Sequence, residues 1–323
     1  MANMHNLFQE FHDSISLTSS KEDKMIKSRN ALREIIRKAF TNDHPGYEPE
    51  FYIQGSYKMR TAIRTKDDIC DLDDGIYFFR EPDVTPTTLQ VWVKDAVDGY
   101  TGTPPEHRKK CIRNIFESDY EIDMPVYYKQ DKIYYLAVKN GNWEKSDPKA
   151  MVDWFTNKKD ENGVLVRVVK YLKAWCDFKR NKMPSGLAMT ILASNAKENI
   201  TYNHKRDDIS LRDTLKEIQK AIIDNFECKV PVLPYDDLFA DYDVTRKKNF
   251  LSALDSFIQD ADKALKEKNQ LQSSKLWRKH LGDRFPEGED VDDEDTKSSL
   301  SGLYSIAKES KPWKNHDVCT PTR

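Results

Sequence analysis

FYIQGSYKMRTAIRTKDDICDLDDGIYFF, residues 51–79, is the stretch around which the rest of the chain is organised. An apolar, strand-like run, Phe51-Tyr52-Ile53, leads into Gln54-Gly55-Ser56. A basic, polar segment then carries the chain to a second strand-like run that holds Asp71 and Asp73. Side chains of a strand alternate between faces, so residues two apart point the same way. Two carboxylates on one face at the exposed end of a strand make a hard-oxygen site suited to a divalent ion such as Mg²⁺. The glycine-serine turn upstream offers backbone N–H groups and a hydroxyl to phosphate oxygens. A phosphate cradle beside paired carboxylates is what nucleotidyl transfer needs.

Charge runs such as DDICDLDD are usually solvated turns. Here Ile69, Leu72, Ile76 and Phe78 mark a strand instead. Asp67 and Asp68 precede that strand and Asp74 lies on the Leu72 face, so all three are left out of the metal site. A third carboxylate is sought on a neighbouring strand, and Tyr120 to Val126 supplies it. With Ile122, Met124 and Val126 on the core face, Glu121 and Asp123 share the other. Asp123 sits in mid-run, where an unpaired carboxylate is costly, and is favoured over Glu121. It also reads as a strand carboxylate satisfied by an ordinary partner. Farther on, Arg167 and Lys170 stand one turn apart on the polar side of a helix spanning 164–179, a pattern that commonly means a solvated cationic face. Ser185 follows Met183-Pro184 and opens the next helix. It fits an N-cap, and a helix N-terminus also favours phosphate.

Composition bounds the rest. Lys and Arg (52) nearly cancel Asp and Glu (54), which argues against a protein that coats nucleic acid. The mean hydropathy of −0.78 marks a polar surface. Five scattered cysteines without a C-x-x-C pair exclude a zinc ribbon or disulfide framework and suit a reducing, cytoplasmic setting. No signal peptide and no transmembrane run are expected.

In chain order, helical periodicity is read over 4–19 and from Ser20 to Phe40. Strands follow at 51–53, 69–78, 120–128 and 132–138, with a helix over 89–100 among them. From Lys149 onward the pattern is helical: 150–157, 164–179, 186–198, 211–226 and 247–268. The expected architecture is α+β, a mixed-sheet catalytic lobe with its first long helix over residues 1–162 and a helical lobe over 163–285. Residues 286–323, beginning PEGEDVDDEDTKSS, are expected to form an acidic, mobile loop and tail.

The order of these motifs resembles the polymerase-β-like nucleotidyltransferase superfamily and, within it, the CD-NTases. These are bacterial relatives of cyclic GMP–AMP synthase and DncV that work in CBASS antiphage defence. The similarity runs through Gly55-Ser56-Tyr57, Asp71-Leu72-Asp73-Asp74-Gly75, Ile122-Asp123-Met124-Pro125, Trp143 with Ser146-Asp147-Pro148, Lys170 to Trp175 and Pro184-Ser185-Gly186. It implies metal ligation, and with it catalysis, by Asp71, Asp73 and Asp123, and nucleotide contacts from Gly55, Ser56, Lys170 and Ser185. It further implies two Mg²⁺ ions, with Mn²⁺ as an alternative, and ATP and GTP or other NTPs as substrates. The implied product is a cyclic dinucleotide, first of all cyclic GMP–AMP. Downstream stands an effector that the product activates, and the C-terminal tail is a candidate attachment point for a regulatory partner. Neither membrane association nor activation by nucleic acid is expected. The first long helix is expected to brace both lobes. Two other readings remain at this point: a transferase that modifies RNA or protein through the same site, and a non-catalytic nucleotide-sensing module.

Overall fold

The computed structural model describes residues 2–117 and 119–292. Helix α1 (His5–Ile15) and the long α2 (Ser19–Asp43) precede β1 (Glu50–Gln54), the short α3 (Gly55–Met59) and β2 (Cys70–Phe78). Then come α4 (Pro86–Val97), β3 (Glu106–His107), β4 (Ile112–Phe116), β5 (Tyr120–Met124), β6 (Val126–Gln130), β7 (Ile133–Leu136) and β8 (Glu144–Lys145). The chain continues as α5 (Pro148–Lys158), α6 (Val164–Lys179), α7 (Gly186–Ala196), α8 (Asp207–Asp224), α9 (Val244–Lys266) and α10 (Gln270–Leu281). The α+β class is the one read from the sequence, and the elements pack around two hydrophobic cores, one under the sheet and one among the helices.

β2 is the hub of the sheet. Along one edge it pairs antiparallel with β1, Gln54 opposite Asp73. Along the other it runs parallel to β5 (Asp73 opposite Asp123) and then to β6 (Ile76 opposite Val126) in unbroken register. The expected strand 120–128 is therefore two strands interrupted at Pro125, which has no N–H for the ladder. Ile76 N–H instead bonds the Pro125 carbonyl at 2.9 Å. β4 pairs antiparallel with β5, and β7 with β6 through Asp131 and Lys132, both at positive φ as a two-residue hairpin turn demands.

Alternation along β2 decides what faces where. Leu72, Asp74, Ile76 and Phe78 point into a core built with Met25, Leu32, Ile36 and Phe40 of α2 and Leu89 and Val93 of α4. Asp74 is admitted because Arg33 of α2 meets it with both ends of the guanidinium fork, Nε at 2.7 Å from Oδ2 and Nη2 on Oδ1. The opposite face of β2 presents Asp71 and Asp73.

The second core belongs to the helical lobe and differs from expectation at its edges. Phe8, Phe11 and Ile15 of α1 and Met151 and Phe155 of α5 pack into it with Leu172, Trp175, Phe250, Phe257 and Trp277. The N-terminal helix and α5 thus join the helical lobe by packing, although both precede the boundary at 162. The apolar stripe of α2 packs only into the sheet-lobe core, so this helix does not brace both lobes as expected. Its side chains Met25, Leu32, Ile36 and Phe40 form one stripe and are spent on one partner. The bridge is made instead by the loop between α3 and β2. There Lys173 Nζ donates to the Thr61 carbonyl at 3.0 Å, Lys66 N–H donates to Asp177 at 2.6 Å, and Arg180 pairs with Asp67.

Within the acidic segment that was expected to be mobile, the first residues are tied down. Gln270 and Leu271 N–H bond the carbonyls of Val291 and Glu289 at 3.0 and 2.9 Å. The rest of that tail lies outside the described residues. Among the described residues no helix is long and apolar enough to cross a membrane.

Candidate active site

A cleft of about 530 Å³ opens between the two lobes. Its sheet side carries Gly55, Ser56, Asp71 and Asp73, and its helical side carries Lys173 and Asp177 of α6 and Arg180 just past its end, with Met183, Pro184, Gly186 and Leu187 of the α7 entrance. Gly55 has φ +62°, and a Cβ built there would lie 1.9 Å from Asp73 Oδ2. Only glycine lets that carboxylate rest against the turn that follows β1. Across the cleft a Cβ on Gly186 would lie 3.1 Å from the Lys173 side chain, a close contact that a small shift of the lysine could relieve.

The electrostatics follow from the register. Asp71 and Asp73 share a face, and Asp73 lies beside Asp123 on β5. Burial raises the Asp73 pKa to about 7, with the negative charges of Asp71 and Asp123 adding to the effect. Lys173 moves the other way, down to about 8, because burial penalises the ammonium more than the attraction of Asp71 and Asp73 favours it. The cleft therefore sets the cationic donors Lys173 and Arg180 on one wall against the acceptor-only oxygens of Asp71 and Asp73 on the other. Such a donor set fits a hard divalent cation, whose charge would relieve the repulsion among the aspartates.

Gly55, Ser56, Asp71 and Asp73 are brought together as the sequence predicts, and Asp123 is next to them. Both Asp123 oxygens, however, are held by Arg113 of β4, with Nε to Oδ1 and Nη2 to Oδ2 both at 2.7 Å. Ser185 accepts the Ala188 N–H at 3.2 Å and caps α7, while its neighbours Pro184 and Gly186 line the cleft. Lys170 is placed elsewhere. Its ammonium is buried against α1, 2.9 Å from Ser16 Oγ and 3.4 Å from His12 Nε2. Lys173, one turn on, is the lysine that faces the carboxylates, and sequence reasoning missed it. The signal that could have found it is the two-lysine run Lys170-Tyr171-Leu172-Lys173, in which only a helix orientation separates the candidates. Arg113 was also missed, since it lies on a strand that periodicity does not reveal.

Residues 49–127 match the family described as "Cyclic GMP-AMP synthase DncV-like, nucleotidyltransferase domain". A cyclic GMP-AMP synthase from Escherichia albertii is 28% identical over 239 residues, covering 68% of this chain and 53% of the relative. The chain spans about half the length of the curated cyclic GMP-AMP synthases of Escherichia that it matches. A cyclic AMP-AMP-AMP synthase from Acinetobacter is 22% identical over 301 residues, covering 86% of this chain and 84% of that one. In fold, the chain superposes on the Vibrio cholerae DncV cyclic AMP-GMP synthase in complex with a linear intermediate with a TM-score of 0.78, at 18% identity, over 88% of this chain and 96% of that one.

Proposed function

This chain belongs to the CD-NTase family of nucleotidyltransferases, and on that premise we propose that it joins nucleoside triphosphates into a cyclic oligonucleotide. The observation that carries this reading is the Gly55 turn closed around Asp73, with Asp71 and Lys173 in the same cleft. A ribose hydroxyl oxygen of one nucleotide attacks the α-phosphorus of another. The new P–O bond forms as the bond to the bridging oxygen breaks, pyrophosphate leaves, and the hydroxyl proton is lost to solvent. The same step, repeated on the turned-around linear product, closes the ring.

Ser56 and the backbone N–H groups beside it orient the triphosphate from the sheet side. Lys173 meets it from α6, in the role the resemblance placed on Lys170, and the α7 entrance with Ser185 forms the far wall. Catalysis of this kind is mostly positioning and charge neutralisation. Asp71, Asp73 and Asp123 would hold two Mg²⁺ or Mn²⁺ ions, which when bound supply charge stabilisation to the attacking and leaving oxygens. The product we assign first is cyclic GMP–AMP, made from ATP and GTP in the cytoplasm as a second messenger of antiphage defence. It would act on a downstream effector, and a regulatory partner would engage the C-terminal tail.

The test is incubation of the purified protein with each labelled NTP and Mg²⁺ or Mn²⁺, with phosphatase-resistant products identified by mass. A cyclic product containing one guanine and one adenine is expected, and Asp71→Asn or Asp73→Asn should abolish it while the circular dichroism spectrum is kept. Extension of an added RNA, or wild-type synthesis by either mutant, would overturn the assignment.

A further inference from the structure

We propose that Arg113 is a positioning residue that competes with the divalent cation for Asp123, so that their ion pair opens when the cation is bound. This rests on the reading of the cleft given above. Antiparallel register between β4 and β5 sets Arg113 directly opposite Asp123. Parallel register between β5 and β2 sets Asp123 beside Asp73. Asp123 thus stands between a fixed cation on one strand and the metal-binding carboxylates on the other.

The guanidinium engages both Asp123 oxygens at 2.7 Å. A carboxylate gripped in this bidentate fork cannot ligate a metal without giving up at least one of those bonds. Among the described residues no three His, Cys, Asp or Glu side chains converge as a ready-made metal site. The remaining arm of Arg113, Nη1, is paired with Glu121. Glu121 lies two residues before Asp123 and so shares its face. That second partner makes an exchange feasible, because a guanidinium that releases Asp123 keeps a carboxylate rather than being left as an unpaired, partly buried charge.

The two states differ in what relieves the crowded carboxylates. Without a cation, Arg113 neutralises Asp123 and tempers the field on Asp73. With one, Asp123 turns its charge to the metal and Arg113 rests on Glu121. Loading therefore costs the ion pair, and the guanidinium sets the cation affinity below that of three free carboxylates. Removing it has effects of opposite sign: tighter cation binding and a less stable cation-free protein. A purely structural salt bridge gives only the second.

The experiment is a nucleotide-free Mn²⁺ titration by calorimetry, with thermal unfolding recorded with and without Mn²⁺, on wild type, Arg113→Gln, Arg113→Lys and Asp73→Asn. Arg113→Gln should bind Mn²⁺ on the order of tenfold more tightly than wild type, a typical size for coupling between two sites. It should also melt earlier without the ion and show the larger upward shift with it. Arg113→Lys, which keeps the charge but loses the fork, should fall between. If Arg113→Gln does not fold, Arg113→Lys carries the comparison. Affinity equal to or weaker than wild type in the folded variants overturns the proposal. Absence of Mn²⁺ binding by wild type, or affinity unchanged in Asp73→Asn, overturns the reading of the cleft itself, whatever Arg113 does.

Discussion

Lys170 and Lys173 stand three positions apart on α6, so their side chains diverge by about 60° around the axis. That angle sends one to Ser16 and His12 of the α1 region and the other to the wall of aspartates. Lys173→Ala should weaken binding of ATP by about 2 kcal/mol, the scale of a charged hydrogen bond, whereas Lys170→Ala should leave nucleotide affinity within about a factor of two of wild type. A calorimetric titration with ATP separates them, and the reverse order would return the triphosphate to Lys170. The lowered pKa of Lys173, about 8, adds a pH dependence. A bound triphosphate favours the ammonium and raises that pKa, so the gain in affinity is complete below about pH 8 and is lost as pH rises through the value in the complex. Affinity for ATP should therefore fall between pH 8 and 9 in wild type and stay flat in Lys173→Ala. The carboxylates were legible in the sequence because a strand of period two leaves no choice of face for Asp71 and Asp73. The lysine was not, because its role depends on the rotation of a helix about its axis.

α2 and β2 show how an element is anchored through one polar pair in an apolar seam. Asp74 is fully buried, and Arg33 supplies its partner across the helix–strand contact. Asp74→Asn leaves the guanidinium without its counter-charge and should cost about 3 kcal/mol in chemical denaturation. The face that carries Asp71 and Asp73 is untouched, so the Mn²⁺ affinity of the folded protein should not change. A loss below about 1 kcal/mol, the range of surface pairs, would mean that Arg33 finds another partner. Strand β4 illustrates the opposite case for sequence reading. Its core face carries Ile112 but also a buried Asn114, whose side chain reaches the Ile122 carbonyl at 3.4 Å. The polar residue breaks the alternation, and so the strand that brings Arg113 to Asp123 left no periodic trace. Helix α10 leaves no periodic trace for a related reason: its buried residues include Ser273, Ser274 and His280, which do not register as an apolar stripe.

The two lobes meet around a cleft that neither owns, and the N-terminal helix shows how far the chain reaches to build it. Phe8 of α1 is fully buried with ring centroids 5.1 Å from Tyr171, 5.0 Å from Trp277 and 4.9 Å from Phe285. Phe8→Ala should destabilise the protein by about 3–5 kcal/mol, as expected for a large aromatic removed from a closed core. Thermal unfolding followed by tryptophan fluorescence checks it, and a loss under about 1 kcal/mol would place α1 outside the cooperative unit. By itself the sequence determined the α+β class, the order of the motifs, the face of each carboxylate on β2 and the start of α7, because alternation, capping and turn chemistry act over a few neighbouring residues. Tertiary structure alone decided that α1 and α5 join the helical lobe, that Lys173 rather than Lys170 faces the cleft, and that Arg113 holds Asp123. Each of those is a contact between residues distant in the chain or a choice between rotations of one helix, and it is settled by how whole elements pack, a quantity that no local pattern carries.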